Sequence, residues 1–330
     1  MRGRAFDAWF LAVADPARAA PPPRCPRGLE PARLCDFADR HGVLPAVTRS
    51  LRRTEARDAG QRAVLAEAEE RLRRRVGFAL LLRKQLEPVA AAFAEAGLSA
   101  VVLKGRAFAD RLYAEPFLRP FTDLDFLLPR DALADAAPVL ERLGYRRAPE
   151  PRGKYPGQYG EQTWRLADPK MGAVELHWNL VNSPPLRRRC SVALADLAVE
   201  GPAAGGLARP TASSLLLIAA VHAAAGHRFD RLQPLCDVVQ AARGAAGPMD
   251  EDWLAETAGR TGSAFAVATA LRLAGAAFGE PACADLAARV RPGGRDWLER
   301  RLITPRTVLH AQAVGAGLRR QLLRELLKRT

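Results

Sequence analysis

The stretch Asp123-Leu-Asp-Phe-Leu-Leu128 decides how the rest of the chain is read. Leu124, Phe126 and Leu128 alternate with Asp123, Asp125 and Leu127. That is the period of a half-buried β-strand, with an apolar face and two carboxylates together on the other. Ala173-Val-Glu-Leu-His-Trp178 repeats the pattern, with Val174, Leu176 and Trp178 on an apolar face and Glu175 and His177 on the opposite one. The cluster Asp168-Pro-Lys-Met-Gly172 before it is turn-forming, and Gln162 to Leu166 reads as a further strand, so the two arms predict a hairpin. If the hairpin joins the first strand in one sheet, Glu175 completes a three-carboxylate cluster with Asp123 and Asp125. Oxygen ligands of this kind suit Mg²⁺, which takes one or two carboxylates and substrate phosphates and can clamp an in-line phosphoryl displacement.

Working outward, Ser99-Ala-Val-Val-Leu103 is a short β-branched apolar run, followed by Lys104-Gly105 and a helical composition from Arg106 to Ala114. The start of a helix directs backbone N–H groups and a positive dipole end at a bound phosphate, and Lys104 adds a charge there. Arg119, four residues before Asp123, is placed to grip a phosphate bidentately or to neutralise the carboxylates. Arg130 to Leu143 reads as a helix that stops at Gly144.

Before this core, a proline-rich break at 20–28 precedes a helical stretch from Pro31 to Leu51. Good helix formers then run from Glu55 to Ala96 and end at Gly97. After the Pro/Arg loop of 184–189 the strand signal fades, and 211–226, 231–243, 251–278 and 315–329 have helical spacing. The expected fold is α+β: a small mixed sheet with N-terminal helices and a C-terminal helical bundle. Its segments are 1–95 (helical), 96–183 (the α/β core) and 184–330 (helical). The final stretch sets Leu318, Leu322, Leu323, Leu326 and Leu327 against Arg319, Arg320, Arg324 and Lys328. Such a basic amphipathic helix either docks on the bundle with solvated arginines or meets a membrane surface or acidic partner; docking is the expectation.

The chain has 330 residues, of which 48% are hydrophobic, enough for sizeable cores and incompatible with wholesale disorder. The formal charge of +14 is uneven: residues 1–95 carry 18 basic and 12 acidic side chains, 96–285 carry 21 of each, and 286–330 carry 11 and 3. The charge balance of the middle segment leaves the basic excess to the ends. Five scattered cysteines, with no CxxC pair, exclude a zinc-ribbon reading and fit free thiols in a reducing cytoplasm. The longest apolar stretch, Leu215 to Ala225, is interrupted by His222 and is too short for a bilayer span.

The residues Val101-Val-Leu-Lys-Gly105, Tyr113, Arg119, Asp123 to Leu128, Gly144-Tyr145 and Glu175-Leu-His-Trp178 together resemble the bacterial nucleotidyltransferase family proteins, a divergent branch of the polymerase-beta-like nucleotidyltransferases. The likeness covers roughly residues 30 to 245 and includes His222, His227, Leu232 and Cys236-Asp237. It implies that Asp123 and Asp125 hold the metal bound to an NTP's triphosphate. Glu175 takes the third carboxylate position, and Lys104, Gly105, Arg119, His177, His222 and His227 contact nucleotide. The chain departs from the wider superfamily in replacing its Gly-Ser turn with Lys104-Gly105 and in placing 17 residues (106–122) before Asp123. His222 and His227 are five apart, which on an α-helix separates them by about 140° and argues against joint metal binding.

The expected activity is Mg²⁺-dependent transfer of an NMP group from an NTP to a small-molecule or peptide acceptor, releasing pyrophosphate. Two rivals stand beside it. In one the acceptor is RNA, gripped by the basic ends, although only 6% of residues are aromatic. In the other the fold serves as a non-catalytic scaffold.

Overall fold

In the computed structural model, the described residues are 3–26, 28–54, 58–150, 157–201, 206–291, 300–311, 317, 321, 322, 325 and 327. A mixed sheet lies at the centre, with strand order β3-β4-β5-β2-β1-β7-β6. The strands are β1 (Ser99–Val102), β2 (Asp123–Leu127), β3 (Arg146–Arg147), β4 (Glu161–Arg165), β5 (Ala173–His177), β6 (Val199–Glu200) and β7 (Gly206–Pro210). The expected hairpin forms: β4 and β5 are antiparallel, with Trp164 opposite Val174. Its second arm runs parallel to β2, with Asp125 opposite Glu175 and Leu127 opposite His177.

Alternation along these strands divides the apolar side chains between two cores. Leu124, Phe126, Val174 and Leu176 pack with Leu82, Leu86, Val89 and Phe93 from the C-terminal half of α4 (Ala59–Glu95), and with α6 (Ala132–Arg142). The opposite face, with Val101 and Leu127, belongs to a larger core. This core joins α1 (Arg4–Ala14), α2 (Pro31–Arg40) and α3 (Leu44–Arg52) to α8 (Ala212–Val221), α9 (Gln233–Ala242) and α11 (Ala264–Phe278). N-terminal and C-terminal helices therefore share one interior. The carboxylates of β2 and β5 face that side, under the cover of the C-terminal helices.

Helix α4 starts on an Asp58 cap, whose side chain accepts from the Gln61 N–H, and ends where Gly97 turns with φ 67°. It also fixes the hairpin. Gln85, buried inside it, donates to the Tyr145 hydroxyl (2.8 Å) and the Gly172 carbonyl (2.7 Å), and accepts from the Gly172 N–H (3.1 Å). A Cβ at Gly172 would lie 2.1 Å from Leu82 Cδ2, so any side chain there would displace Leu82 of this helix.

Three sequence expectations change. The stretch 31–51 is two helices, broken where Gly42 adopts φ 69°. The stretch 251–278 is likewise α10 (Glu251–Arg260) and α11, separated at Gly262, whose left-handed backbone (φ 69°) passes the Arg189 carbonyl too closely for any side chain. The strand signal also does not end at 184, because β7 pairs in parallel with β1, Ala100 opposite Leu207. Gly-Leu-Ala-Arg-Pro has no apolar alternation, and the pairing comes from the β1 edge it docks on. Of the final amphipathic stretch, Arg319, Arg320, Arg324 and Lys328 lie outside the described residues; Leu327 is buried and Leu322 exposed. No helix of the described residues is long and apolar enough to cross a membrane.

Candidate active site

Five strand positions and two loops build the site. Asp125 projects from the middle of β2 and is almost fully buried. At the end of β1 the chain turns so that the Leu103 N–H donates to the Asp125 carbonyl (3.0 Å), which holds Lys104 over the same carboxylate. The Lys104 ammonium lies 2.9 Å from Asp125 Oδ1. Gly105 then takes φ 57°, a left-handed backbone that favours glycine, with the Asp123 carbonyl and the Phe121 ring in contact range at 3.4 Å. From β5, His177 Nε2 donates to the same Asp125 oxygen (3.0 Å) and lies 3.7 Å from Glu175 Oε2. Its Nδ1 faces Glu161 (3.6 Å) and the Asn182 side-chain oxygen (3.4 Å), and the Asn182 amide in turn donates to Glu161.

Charge explains how this cluster is held. Burial alone would raise the Asp125 carboxyl, but Lys104 and His177 keep it well below the usual carboxylate range. Burial would likewise strip His177 of its proton, yet hydrogen bonds to Asp125 and Glu175 and the charge of Glu161 lift the imidazole to about 10. It is therefore an imidazolium. Burial also disfavours a charged Lys104, and Asp125, Asp123 and Glu175 overcome it. Asp123 is pushed up to about 6 by burial and by the negative charge of Asp125. Glu161 is also raised, chiefly by burial. Four carboxylates thus surround two cations.

The donor set fits a hard divalent cation. Asp125, Glu175 and His177 present ligand atoms within 4.8 Å of one another. Asp125 Oδ2 is buried without a hydrogen-bond partner, an acceptor aimed at no donor. With His177 protonated, the ligands left to such an ion are carboxylate oxygens, which suit Mg²⁺ or Mn²⁺ better than softer metals.

Above the cluster opens a cleft of about 550 Å³, lined by Lys104, Gly105, Arg119, Asp123, Glu161, His177, His222 and His227 among others. Asp125 and Glu175 are not in its lining; Asp125 reaches it through Lys104 and His177, with which it is bonded. Leu327, from the C-terminal segment, closes one side.

Arg119 reaches the cleft but spends its charge elsewhere. Its guanidinium is buried and grips Asp237 of α9 with two bonds, 2.8 and 2.9 Å, while the Tyr113 hydroxyl donates to the same carboxylate (2.7 Å). Phe108 stacks beneath it at 5.1 Å. The bidentate partner expected to be a phosphate is a carboxylate of the chain itself, and the one neutralised is Asp237 rather than the β2 pair.

His222 and His227 depart most from expectation. Residues His222–Gly226 form a π turn after α8, with the His227 N–H donating to the His222 carbonyl (3.1 Å). A π turn brings residues five apart back to one face, so the two rings meet edge to face at 4.6 Å rather than about 140° apart. Burial and the nearby Lys104 charge push His222 well down, and burial with Arg231 lowers His227 to about 4. Both are neutral. Gly226 makes room, since a Cβ there would lie 3.0 Å from His222 Nδ1. Glu161 lies one residue before the strand that the sequence predicts from Gln162; alternation continued backwards from Thr163 puts it on the same face, and the pairing sets it opposite His177.

A mixed sheet thus gathers carboxylates, a lysine and an imidazolium beneath a cleft. The family model described as uncharacterised nucleotidyltransferase matches residues 28–279, most of the chain, and the chain belongs to that family. No curated protein and no solved structure matches it.

Proposed function

We propose that this protein transfers a nucleoside monophosphate group from an NTP to a small-molecule or peptide acceptor and releases pyrophosphate. The carrying observation is the buried, partnerless Asp125 oxygen within an excess of carboxylate. A divalent cation held by Asp123, Asp125 and Glu175 would neutralise the triphosphate oxygens. Lys104 holds Asp125 in place and brings a fixed positive charge to the phosphate end of the cleft. His177 keeps Asp125 ionised and, bonded on its other nitrogen side to Glu161 and Asn182, fixes the strand ends on which the acids stand. The acceptor hydroxyl oxygen forms a bond to the α-phosphorus as the bond to pyrophosphate breaks, and the hydroxyl proton passes to a carboxylate of the cluster. Arg119 is a positioning residue, bracing the loop before β2 against α9. His222 and His227, neutral and at the cleft wall, contact the nucleotide. The acidic floor and the closing Leu327 favour a small acceptor over a polynucleotide.

The test is thermal stability with each NTP, with and without Mg²⁺, for the wild type and Asp125→Asn. A ligand bound only by the folded state at about 100 times its dissociation constant adds about 2.7 kcal/mol. A Mg²⁺-dependent gain that disappears in the variant is the expected result. If no nucleotide stabilises the wild type, or if Asp125→Asn retains the full gain, the reading is wrong.

A further inference from the structure

The wall of the cleft opposite the sheet carries charge of the other sign. After the π turn the chain passes through two consecutive left-handed residues, Arg228 (φ 50°) and Phe229 (φ 53°), the two non-glycine positions of positive φ among the described residues. Such a backbone is strained for residues with a side chain, and strain of this kind persists where the surroundings enforce it. Here the enforcing group is Phe229, fully buried in the larger core. The strained turn leaves Arg228 and Arg231 exposed at the cleft mouth, beside His227 and Arg75. Arg75 is occupied by Asp39 at 2.7 Å. Asp230, between the two arginines, faces His227 at 3.8 Å. Among the described residues neither Arg228 nor Arg231 has an ion-pair partner.

The cleft is therefore graded. Lys104 lines its floor beside Asp125 and acts electrostatically on both His222 and His227; the two rings touch; and Arg231, with Arg228, acts on His227 from the other side. A cation held by the carboxylates would keep the triphosphate of an NTP beside them. Lys104 is the fixed charge at that end. Two planar guanidinium groups beyond the histidine pair are left for a different anion, and their fork geometry suits a phosphate or carboxylate. We propose that Arg228 and Arg231 bind an oxyanion, phosphate or carboxylate, carried by the acceptor, so that the acceptor is an anionic molecule anchored at the far end of the cleft from the metal-binding acids. The word acceptor rests on the nucleotidyl-transfer reading above; the oxyanion site itself does not.

The experiment is calorimetric titration of inorganic phosphate, and separately of acetate, into the full chain, alone and with saturating Mg²⁺ and an α,β-methylene nucleotide. It is repeated on the double variant Arg228→Gln/Arg231→Gln and on Arg228→Lys/Arg231→Lys. We expect at least one of the two anions to bind the wild type with or without nucleotide. Its affinity should fall tenfold or more in the glutamine variant and recover in part in the lysine variant, with nucleotide affinity within about twofold throughout. A preference between phosphate and acetate names the oxyanion. Equal anion binding by wild type and glutamine variant, or no binding by either, overturns the proposal. So does exclusion of the anion by nucleotide together with a tenfold loss of nucleotide affinity in the glutamine variant, which would give the arginines to the triphosphate. If the wild type binds no nucleotide, the nucleotidyl-transfer reading falls, and the phosphate and acetate titrations still decide the oxyanion site.

Discussion

Two buried ionic clusters stand within one molecule, and they are built to opposite specifications. Around Asp237 every demand is met: Arg119 supplies two bonds, Tyr113 a third, and charge balances within the pair. Around Asp125 the demands are left open, with four carboxylates to two cations and an oxygen facing no donor. A closed cluster orients elements; an open one keeps capacity for something that arrives later. The same chemistry of buried charge thus serves as a strut in one place and as a receptor in the other.

Breaking the strut should cost most. Arg119→Met removes the fork and leaves Asp237 buried with only the Tyr113 hydroxyl, and loss of one partner of a buried pair typically costs 3–5 kcal/mol. Urea unfolding should show that loss with the m-value unchanged. A loss below about 1 kcal/mol would mean that water enters to solvate Asp237, and that the cluster is less closed than its geometry.

A second contrast lies among the histidines. His177 is held charged by the open cluster, whereas His41 is held neutral, lowered to about 4 by burial against a single bond to the Leu309 carbonyl (3.2 Å). Because the folded-state value lies below the unfolded one of about 6.5, the unfolded chain takes up this proton first as pH falls. The stabilisation from His41 is complete above about pH 6.5 and is lost progressively toward pH 4, amounting to about 3 kcal/mol. Unfolding curves between pH 7 and 4 should show this acid limb, and His41→Gln should flatten it. An unchanged limb in the variant would shift its cause to the cleft histidines, His222 and His227.

How much of this was legible in the sequence follows from which interactions are local. The period of two in 123–128 and 173–178 put Asp123, Asp125, Glu175 and His177 on common faces, and the turn residues 168–172 paired the strands, because strand geometry leaves no other choice. The Arg119–Asp237 pair was out of reach, since its members lie 118 residues apart and nothing in either neighbourhood names the other. The histidine pair departs from the 100° per residue of an α-helix because it spans a π turn that Gly226 permits. Strand β7 carries no pattern of its own and is recruited by the open edge of β1.

Opening the receptor cluster further should cost the fold less than breaking the strut. Asp125→Asn takes a buried charge from Lys104 and His177 but leaves them Glu175, Glu161 and Asp123 as counter-charges, so its metal-free stability should fall by less than that of Arg119→Met even as Mg²⁺-dependent nucleotide binding is lost. Comparing this variant with Arg119→Met by the same urea titration tests the contrast directly. If the two lose similar stability, the Asp125 cluster is as structural as the other, and its unsatisfied oxygen carries no functional meaning.

The smallest effect sharpens the role of the π turn. Gly226→Ala would set a methyl group 3.0 Å from His222 Nδ1, closer than nearly all real contacts, so the ring must move by a few tenths of an ångström. Gly226 itself is exposed, which lets the backbone absorb part of the strain, and the expected stability loss is about 1 kcal/mol or less. The effect on function should be larger than that on stability, because the imidazole stands between the acidic floor and the arginine lip. Nucleotide affinity that falls several-fold with an almost unchanged unfolding midpoint would place the histidine pair in the binding surface. A matched loss of both would reduce the π turn to a packing device.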